Sequence, residues 1–363
     1  MKNRIFNYLT IILLLADMVP TFAQSDSAAV QFIGYLETYY QYDSRKPGNH
    51  QRPDFVYSHN RHNEFTLNLG YLRADYKQDN VRASLALMVG TYANANLAAE
   101  PGVLKNIYEA NAGVRLSRKK NLWLDAGIFS SHIGFESAVG ANCWNLTRSI
   151  MADNSPYFES GAKLTYTSDN GKWLVSGLIL NGWQRIQRVT GNNTPAFGHQ
   201  LTYTPNERVT LNSSSFVGSD APDSARRMRY FHNFYGQFAL TEKWGVLVGF
   251  DIGAQQAEPN GNRYSVWYSP IVQLRYALTD KARLAARAEY YDDRDGVIIA
   301  AGVPGGFRVS GFSVNFDYAL SSHALWRIEA KSLGGRDSIF ENNDGTYTKN
   351  NLAFTTSLAI RLP

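Results

Sequence analysis

Cysteine is almost absent: Cys143 is the single one among 363 residues. One thiol closes no intramolecular disulfide and lacks the partner spacings of a metal site. Disulfide-stapled scaffolds and cysteine–zinc modules are therefore excluded. Also missing, beyond the leader, is any apolar run long enough for a transmembrane helix, which takes about 20 residues. Mean hydropathy is only −0.32. Charge is sparse, with 18% charged residues and a formal net charge of +5. No basic stripe is present, so nucleic acid is not an expected partner. Low-complexity tracts and breaks in composition are missing too, which leaves one domain after the leader.

The leader occupies residues 1–23. Lys2 and Arg4 make a basic start, Ile11 to Leu15 an apolar core, and Thr21-Phe22-Ala23 a small-x-small cleavage site. The mature chain is expected from Gln24. Losing Lys2, Arg4 and Asp17 lowers the formal charge from +5 to +4. No cysteine follows the cut, so lipidation at a mature amino-terminal thiol is excluded.

What the rest of the chain has is a rhythm. Apolar and polar residues alternate in segments of about ten, a period that sends successive side chains to opposite faces of a strand. The segments fall at 30–42, 62–77, 81–94, 106–117, 122–130, 157–167, 172–186, 196–204, 208–217, 229–240, 244–255, 264–278, 282–292, 307–320, 324–333 and 351–362. In the second, Phe65, Leu67, Leu69 and Tyr71 share one face, and Glu64, Thr66, Asn68 and Gly70 the other. Tight polar turns such as Gln78-Asp79-Asn80 and Pro205-Asn206-Glu207 alternate with long connections.

This pattern predicts an all-β, transmembrane, antiparallel up-and-down barrel of about 16 strands, with 14 to 18 as the range set by one hairpin more or fewer. Every short turn then falls in the periplasm and every long loop outside. Aromatics at 13% of the chain supply interfacial girdles, to which the pairs Tyr39-Tyr40 and Tyr290-Tyr291 are assigned; adjacent residues point to opposite faces, and the tyrosine of each pair that faces the lumen is a minor candidate for sugar stacking. Lipid-facing positions include Val246, Val248, Phe250, Ile252, Leu352, Phe354, Leu358 and Ile360. Opposite them lie Arg82, Arg115, Arg275, Arg287, Glu289, Arg327 and Glu329. Arg or Lys turned to lipid at mid-depth would cost about 2–4 kcal/mol, so these charges are expected to line a lumen. A wall of sixteen strands is wide enough for an aqueous channel.

The third long connection, 131–156, is the largest and is expected either to fold into the lumen or to cap the outer mouth. It carries Glu136, Asn145, Arg148 and Asp153, the expected pore constriction, where mixed charge would select solutes by size and charge. Within and beside it, Trp144-Asn145-Leu146-Thr147-Arg148-Ser149, Pro156-Tyr157-Phe158 and Ser160-Gly161-Ala162-Lys163 resemble the third-loop signature of the beta-barrel porin-2 (OmpL-like) family. Asp125-Ala126-Gly127-Ile128-Phe129 and Ile133-Gly134-Phe135-Glu136 resemble the strand and loop start of the same family. Cys143 stands where the family has Asn, and Thr147 where it has Ser. The chain ends Arg361-Leu362-Pro363 without the usual terminal aromatic residue. The resemblance implies a porin-like barrel in the outer membrane of a Gram-negative bacterium, and it carries neither a substrate nor catalytic residues.

The functional expectation is a porin for passive diffusion of small hydrophilic solutes, with weak anion preference, needing no cofactor and no metal. The alternative is a sealed barrel that serves as a surface-binding or structural protein, its lumen closed by Arg287 with Glu289 and Arg327 with Glu329. A membrane hydrolase would need His132, His199, His232, Ser130, Ser149 and Asp153 to converge, and no spacing ties them together. Asp292-Asp293-Arg294-Asp295-Gly296 starts like a calcium loop but lacks the later ligands. Arg226-Arg227-Met228-Arg229 is a basic cluster that could meet lipopolysaccharide phosphates. A homotrimer is an analogy drawn from the strand number.

Overall fold

The computed structural model describes residues 30–362; the leader and its cleavage site lie outside them. The alternating segments become β1 (Val30–Asp43), β2 (Phe65–Gln78), β3 (Val81–Val89), β4 (Ile107–Arg115), β5 (Asn121–Ser130), β6 (Phe158–Thr167), β7 (Trp173–Leu180) and β8 (Ala196–Asn206). They continue as β9 (Val209–Gly218), β10 (Arg229–Ala239), β11 (Trp244–Gln256), β12 (Tyr264–Ala277), β13 (Ala282–Asp293), β14 (Phe307–Ala319) and β15 (Ala324–Gly335). A miniature hairpin, β16 (Phe340–Glu341) with β17 (Tyr347–Thr348), decorates the last long loop before β18 (Asn350–Leu362) closes the set.

Sixteen of these strands form one closed antiparallel barrel, each bonded to its chain neighbour, with β1 sealed to β18 from Gly34↔Leu362 to Asp43↔Ala353. Closure matters physically, since an open edge would leave unpaired N–H and C=O groups in hydrocarbon. Among the described residues no helix is long and apolar enough to cross a membrane.

The outward face is apolar by the period-two rule. Val248, Phe250, Ile252, Leu352, Phe354 and Leu358 are all exposed on it. Stacked or tilted aromatic pairs stand near the short turns, Trp173–Tyr203 and Trp244–Tyr276 among them. Others, such as Tyr230–Tyr264, stand near the long loops. The two sets form girdles at opposite ends of the wall.

Two local expectations fail. In β2 the register shifts at Glu37/Thr38 of β1, and this bulge reverses the alternation. Phe65 points outward at 86% exposure, whereas Leu69 is fully buried. Gly70 faces outward against Leu36, and Leu72 follows it out. The segments 81–94 and 172–186 also run past their strands. The chain leaves β3 at Gly90 (φ 124°) into a short helix, Thr91–Asn96, and it leaves β7 at Leu180. The tyrosine pairs split between the two faces as their alternation requires, with one of each on the outward side. Tyr39 and Tyr291 are 2% exposed and face inward, Tyr39 accepting from the Arg61 amide at 3.0 Å.

Candidate functional site: the third loop and the lumen wall

The connection from β5 to β6 spans 131–157. Its path is set locally by small side chains. The hydroxyl of Ser131 accepts from the Ile133 amide and that of Ser137 from the Val139 amide, both at 3.1 Å. Gly134 turns the chain at φ 83°, a left-handed conformation that glycine adopts without a Cβ penalty. Ser149 caps the single helical turn Ile150–Asp153 by accepting from Ala152 N at 3.1 Å. Arg148 braces the loop from within. It donates to the carbonyls of Ser137 (2.7 Å), Leu146 (2.8 Å) and Ala138 (3.2 Å). Cys143 is buried beside it, its sulfur accepting from Ser137 N at 3.2 Å. Burial raises the thiol above its ordinary pKa.

Wall side chains bond mainly to the loop's backbone. Glu329 of β15 accepts from Thr147 N at 2.5 Å, and Glu289 of β13 accepts from Ile150 N at 2.6 Å. Arg287 donates to Thr147 O at 2.7 Å, Lys331 to Arg148 O at 2.9 Å, and Arg327 to Gly140 O at 2.7 Å. Asn315 Oδ1 accepts from Leu146 N at 3.0 Å. Further ties reach Asn233 on β10 and Tyr35 on β1. The loop therefore lies against the inner wall of β1, β9, β10, β13 to β15 and β18, joined at main-chain atoms that only a fixed path can present, and against β12 through the Glu136 side chain.

Beneath it is a buried ion cluster. Arg287 lies 3.5 Å from Glu136, 3.2 Å from Glu289 and 3.3 Å from Glu329, and Lys331 lies 3.0 Å from Glu289. Arg327 pairs with Asp317 at 2.6 Å. The expected Arg287–Glu289 pair is present. The expected Arg327–Glu329 pair is not, because Glu329 turns to Arg287 and Arg327 takes the carboxylate directly opposite it on β14. Cross-strand partners stand closer than neighbours two apart on one strand.

The four residues expected at a constriction come together in or beside the loop, but as ties. Glu136, 8% exposed, accepts from the Ser149 amide and hydroxyl and from Gln273. Asn145 donates to Ser313 at 3.1 Å, and Arg148 is the brace described above. Asp153 accepts from Ser58 and Tyr157, and burial raises its carboxyl to about 6. His132 donates from Nε2 to the Ser215 carbonyl at 2.8 Å, leaving Nδ1 unprotonated and without a partner. Burial lowers this imidazole to about 4.

The remaining wall, β2 to β8, is not covered by the loop's bonds and keeps half-buried polar groups. Arg73 pairs with Asp75 (2.7 Å) and Glu109 (3.0 Å). Arg82 pairs with Asp125 at 2.5 Å and lies over the Trp123 ring. Lys163 lies over Phe129, and Thr165 bonds Ser176 at 3.0 Å. Arg115 and Arg275 are partly exposed on the inward face, Arg275 over Trp144. Sequence reasoning missed the uncharged members of the site, namely Tyr35, Asn233, Gln273, Ser313 and Asn315. Their signal was a polar or hydroxyl-bearing side chain at an inward strand position.

Other candidates disperse. His199 and His232 face outward and share bonds with Ser213 and Ser215, far along the chain from Ser149, which is bonded to Glu136. Asp293 does not form a calcium loop's first ligand set. Its oxygens accept from the amides of Val297, Ile298 and Ile299. Of the basic cluster, Arg229 turns inward over Trp183, whereas Arg226 and Arg227 remain outside the strand.

The fold has solved counterparts. OmpT of Vibrio cholerae superposes with a TM-score of 0.58 at 12% identity, covering 94% of this chain and all of that one. The anion-selective porin from Comamonas acidovorans gives 0.58 at 8% identity, over 92% and 99% of the two chains. The outer-membrane channel DcaP of Acinetobacter baumannii gives 0.55 at 13%, over 93% and 100%. No curated protein matches at the level of sequence. The family model described as "Putative beta-barrel porin-2, OmpL-like" matches residues 29–362. With nearly every residue of the barrel inside that match, the chain belongs to this porin family and is a β-barrel of the bacterial outer membrane.

Proposed function

We propose that the barrel is a passive diffusion channel for small hydrophilic solutes, narrowed by its third loop. One observation carries this reading. The loop's backbone is fastened to one side of the lumen by Arg287, Glu289, Arg327, Glu329 and Lys331, whereas the β2–β8 side keeps half-exposed polar groups such as Arg73, Arg82, Lys163 and Gln200. Solutes pass along that second side. Glu136, Asn145, Arg148 and Asp153 act by holding the loop in place, and the shape of the opening follows from where they hold it. Along this path Arg73 and Arg82 are paired with acids and Lys163 stands over the Phe129 ring, an arrangement that favours hydrated polar solutes over any one ion.

The reading includes no catalytic step. Its assembly as a homotrimer is tested by cross-linking in native outer membranes, and contact of Arg226 and Arg227 with lipopolysaccharide by extraction in the presence of divalent chelator.

A sealed barrel is the second reading, favoured by apolar packing among the outer loops. Phe55 meets Phe307 and Phe340 at ring-centroid distances of 4.7 and 6.3 Å, and Ile299 joins the same cluster. Single-channel conductance separates the two. Refolded mature chain and a version lacking Gly134 to Asp153 are compared in planar bilayers. Stepwise conductance that rises on deletion supports the channel. Silence from both, with folding verified by heat-modifiable gel mobility, supports the sealed barrel.

A further inference from the structure

Almost every inward-facing arginine in the middle of the barrel is paired. Arg73, Arg82, Arg287 and Arg327 each have a carboxylate partner. Four at the periplasmic end form no ion pair among the described residues: Arg115 and Arg361, which donate instead to the carbonyls of Lys120 and Ala141, and Arg275 and Arg283. Arg275 on β12 and Arg283 on β13 are diagonal neighbours, since Arg275 stands opposite Ala285 and Arg283 opposite Ala277. Such positions lie roughly 7–8 Å apart, so the two guanidiniums repel each other. The nearest inward acid, Asp317, is opposite Arg283 in the ladder but is already engaged by Arg327 through both oxygens.

These arginines line a cavity of about 660 Å³. Its roof is Trp144 at the tip of the third loop, whose indole lies under the Arg275 guanidinium at 4.6 Å. Lys243 on the β10–β11 turn adds a third positive charge, and Glu242 and Asp280 lie on the turns at its edge. Two adjacent guanidiniums without a carboxylate partner, open beside an aromatic platform, make a site that suits an anion. The planar fork of arginine matches carboxylate and phosphate oxygens two at a time, and a shared anion relieves the repulsion between the pair.

We propose that Arg275 and Arg283, backed by Trp144, form an anion-binding subsite at the periplasmic mouth that takes carboxylate- or phosphate-bearing small solutes. This deepens the channel reading and rests on it for its role in permeation, where it would supply the anion preference that the paired charges of the β2–β8 side do not. Binding itself does not require conduction.

The test therefore has two independent arms. Citrate and inorganic phosphate are titrated calorimetrically into the refolded mature chain in detergent, alongside Arg275→Ala, Arg283→Ala and Arg275→Lys. Expected is saturable binding that weakens by about tenfold or more in each alanine variant and is partly kept by the lysine. Which of the two probes binds more tightly identifies the preferred oxyanion. Absence of binding, or binding unchanged in both alanine variants, overturns the proposal. In bilayers, reversal potentials in a KCl gradient should move toward cation selectivity in Arg275→Ala/Arg283→Ala. An unchanged reversal potential overturns the selectivity role. Calorimetric binding by a barrel that never conducts keeps the subsite and removes the channel.

Discussion

Arg287 of β13 donates to the carbonyl oxygen of Thr147, 140 residues earlier in the chain, at 2.7 Å. The same guanidinium faces Glu136, Glu289 and Glu329. One wall residue thus satisfies a loop carbonyl and sits among three buried carboxylates. Removing one partner from a buried ionic group costs far more than the group adds when complete, because charge is left uncompensated.

Arg287→Ala should therefore destabilise the barrel by about 3–5 kcal/mol and loosen the third loop. Urea unfolding in lipid vesicles measures the first effect. Increased open-channel noise measures the second. Arg287→Lys restores charge but not the forked geometry, and should fall between.

The His132 imidazole is lowered to about 4 by burial. Between there and the unfolded value near 6.5, the unfolded chain binds more protons than the folded one, so stability rises with pH. It is fully present above pH 6.5 and is lost on acidification towards pH 4, a change of about 3 kcal/mol at most. Asp153, raised to about 6 by burial, works in the opposite direction from pH 4 to 6 and blunts the fall. Unfolding free energies measured from pH 7.5 to 4 should decline in the parent. In His132→Asn they should hold level or rise as pH falls.

The outward face is tested by charge. Val248 is 47% exposed on the lipid side, and Val248→Arg should cost about 2–4 kcal/mol in bilayers if it lies near mid-depth. Thr202→Arg, on the inward face of β8 beside Asn212, should cost much less. Equal costs would contradict the assignment of faces.

Cys143 reports the seating of the loop. Its thiol is buried and raised by burial, so a maleimide probe should label it only after denaturation. Labelling of the folded barrel at the denatured rate would mean that 131–157 swings free of the wall.

How far the sequence was readable follows from which interactions are periodic. Strand number and the outward face are products of a period of two, and Val248, Phe250 and Ile252 obey it. Leu69 and Gly70 do not, because one extra residue in β2 inverts every assignment after it, and nothing in Phe65 to Tyr71 announces the insertion. Tyr39 and Tyr291 follow the same period, since adjacent tyrosines must point to opposite faces. Glu136, Asn145, Arg148 and Asp153 stand out in the sequence as charged and amide groups in a large loop. Their work as ties depends on which wall residue each one meets, and so do the exchange of partners between Arg327 and Glu329 and the parts played by Gln273 and Asn315. Those meetings are made by closing the barrel and leave no trace in local sequence.

The sequence distances in the third loop also bear on the order of events. Ile150 bonds Glu289, 139 residues on, and Gly140 bonds Arg327, 187 residues on. During synthesis and insertion the loop exists long before its dock, and β1 likewise waits for β18. Contacts so remote form late, after the closure entropy of the intervening chain has been overcome. A nascent barrel therefore passes through a stage with a wide, unfilled bore, and its narrowing marks the arrival of the last hairpins. The loop becomes a checkpoint on assembly: only a wall complete through β18 offers every anchor that pulls it into place.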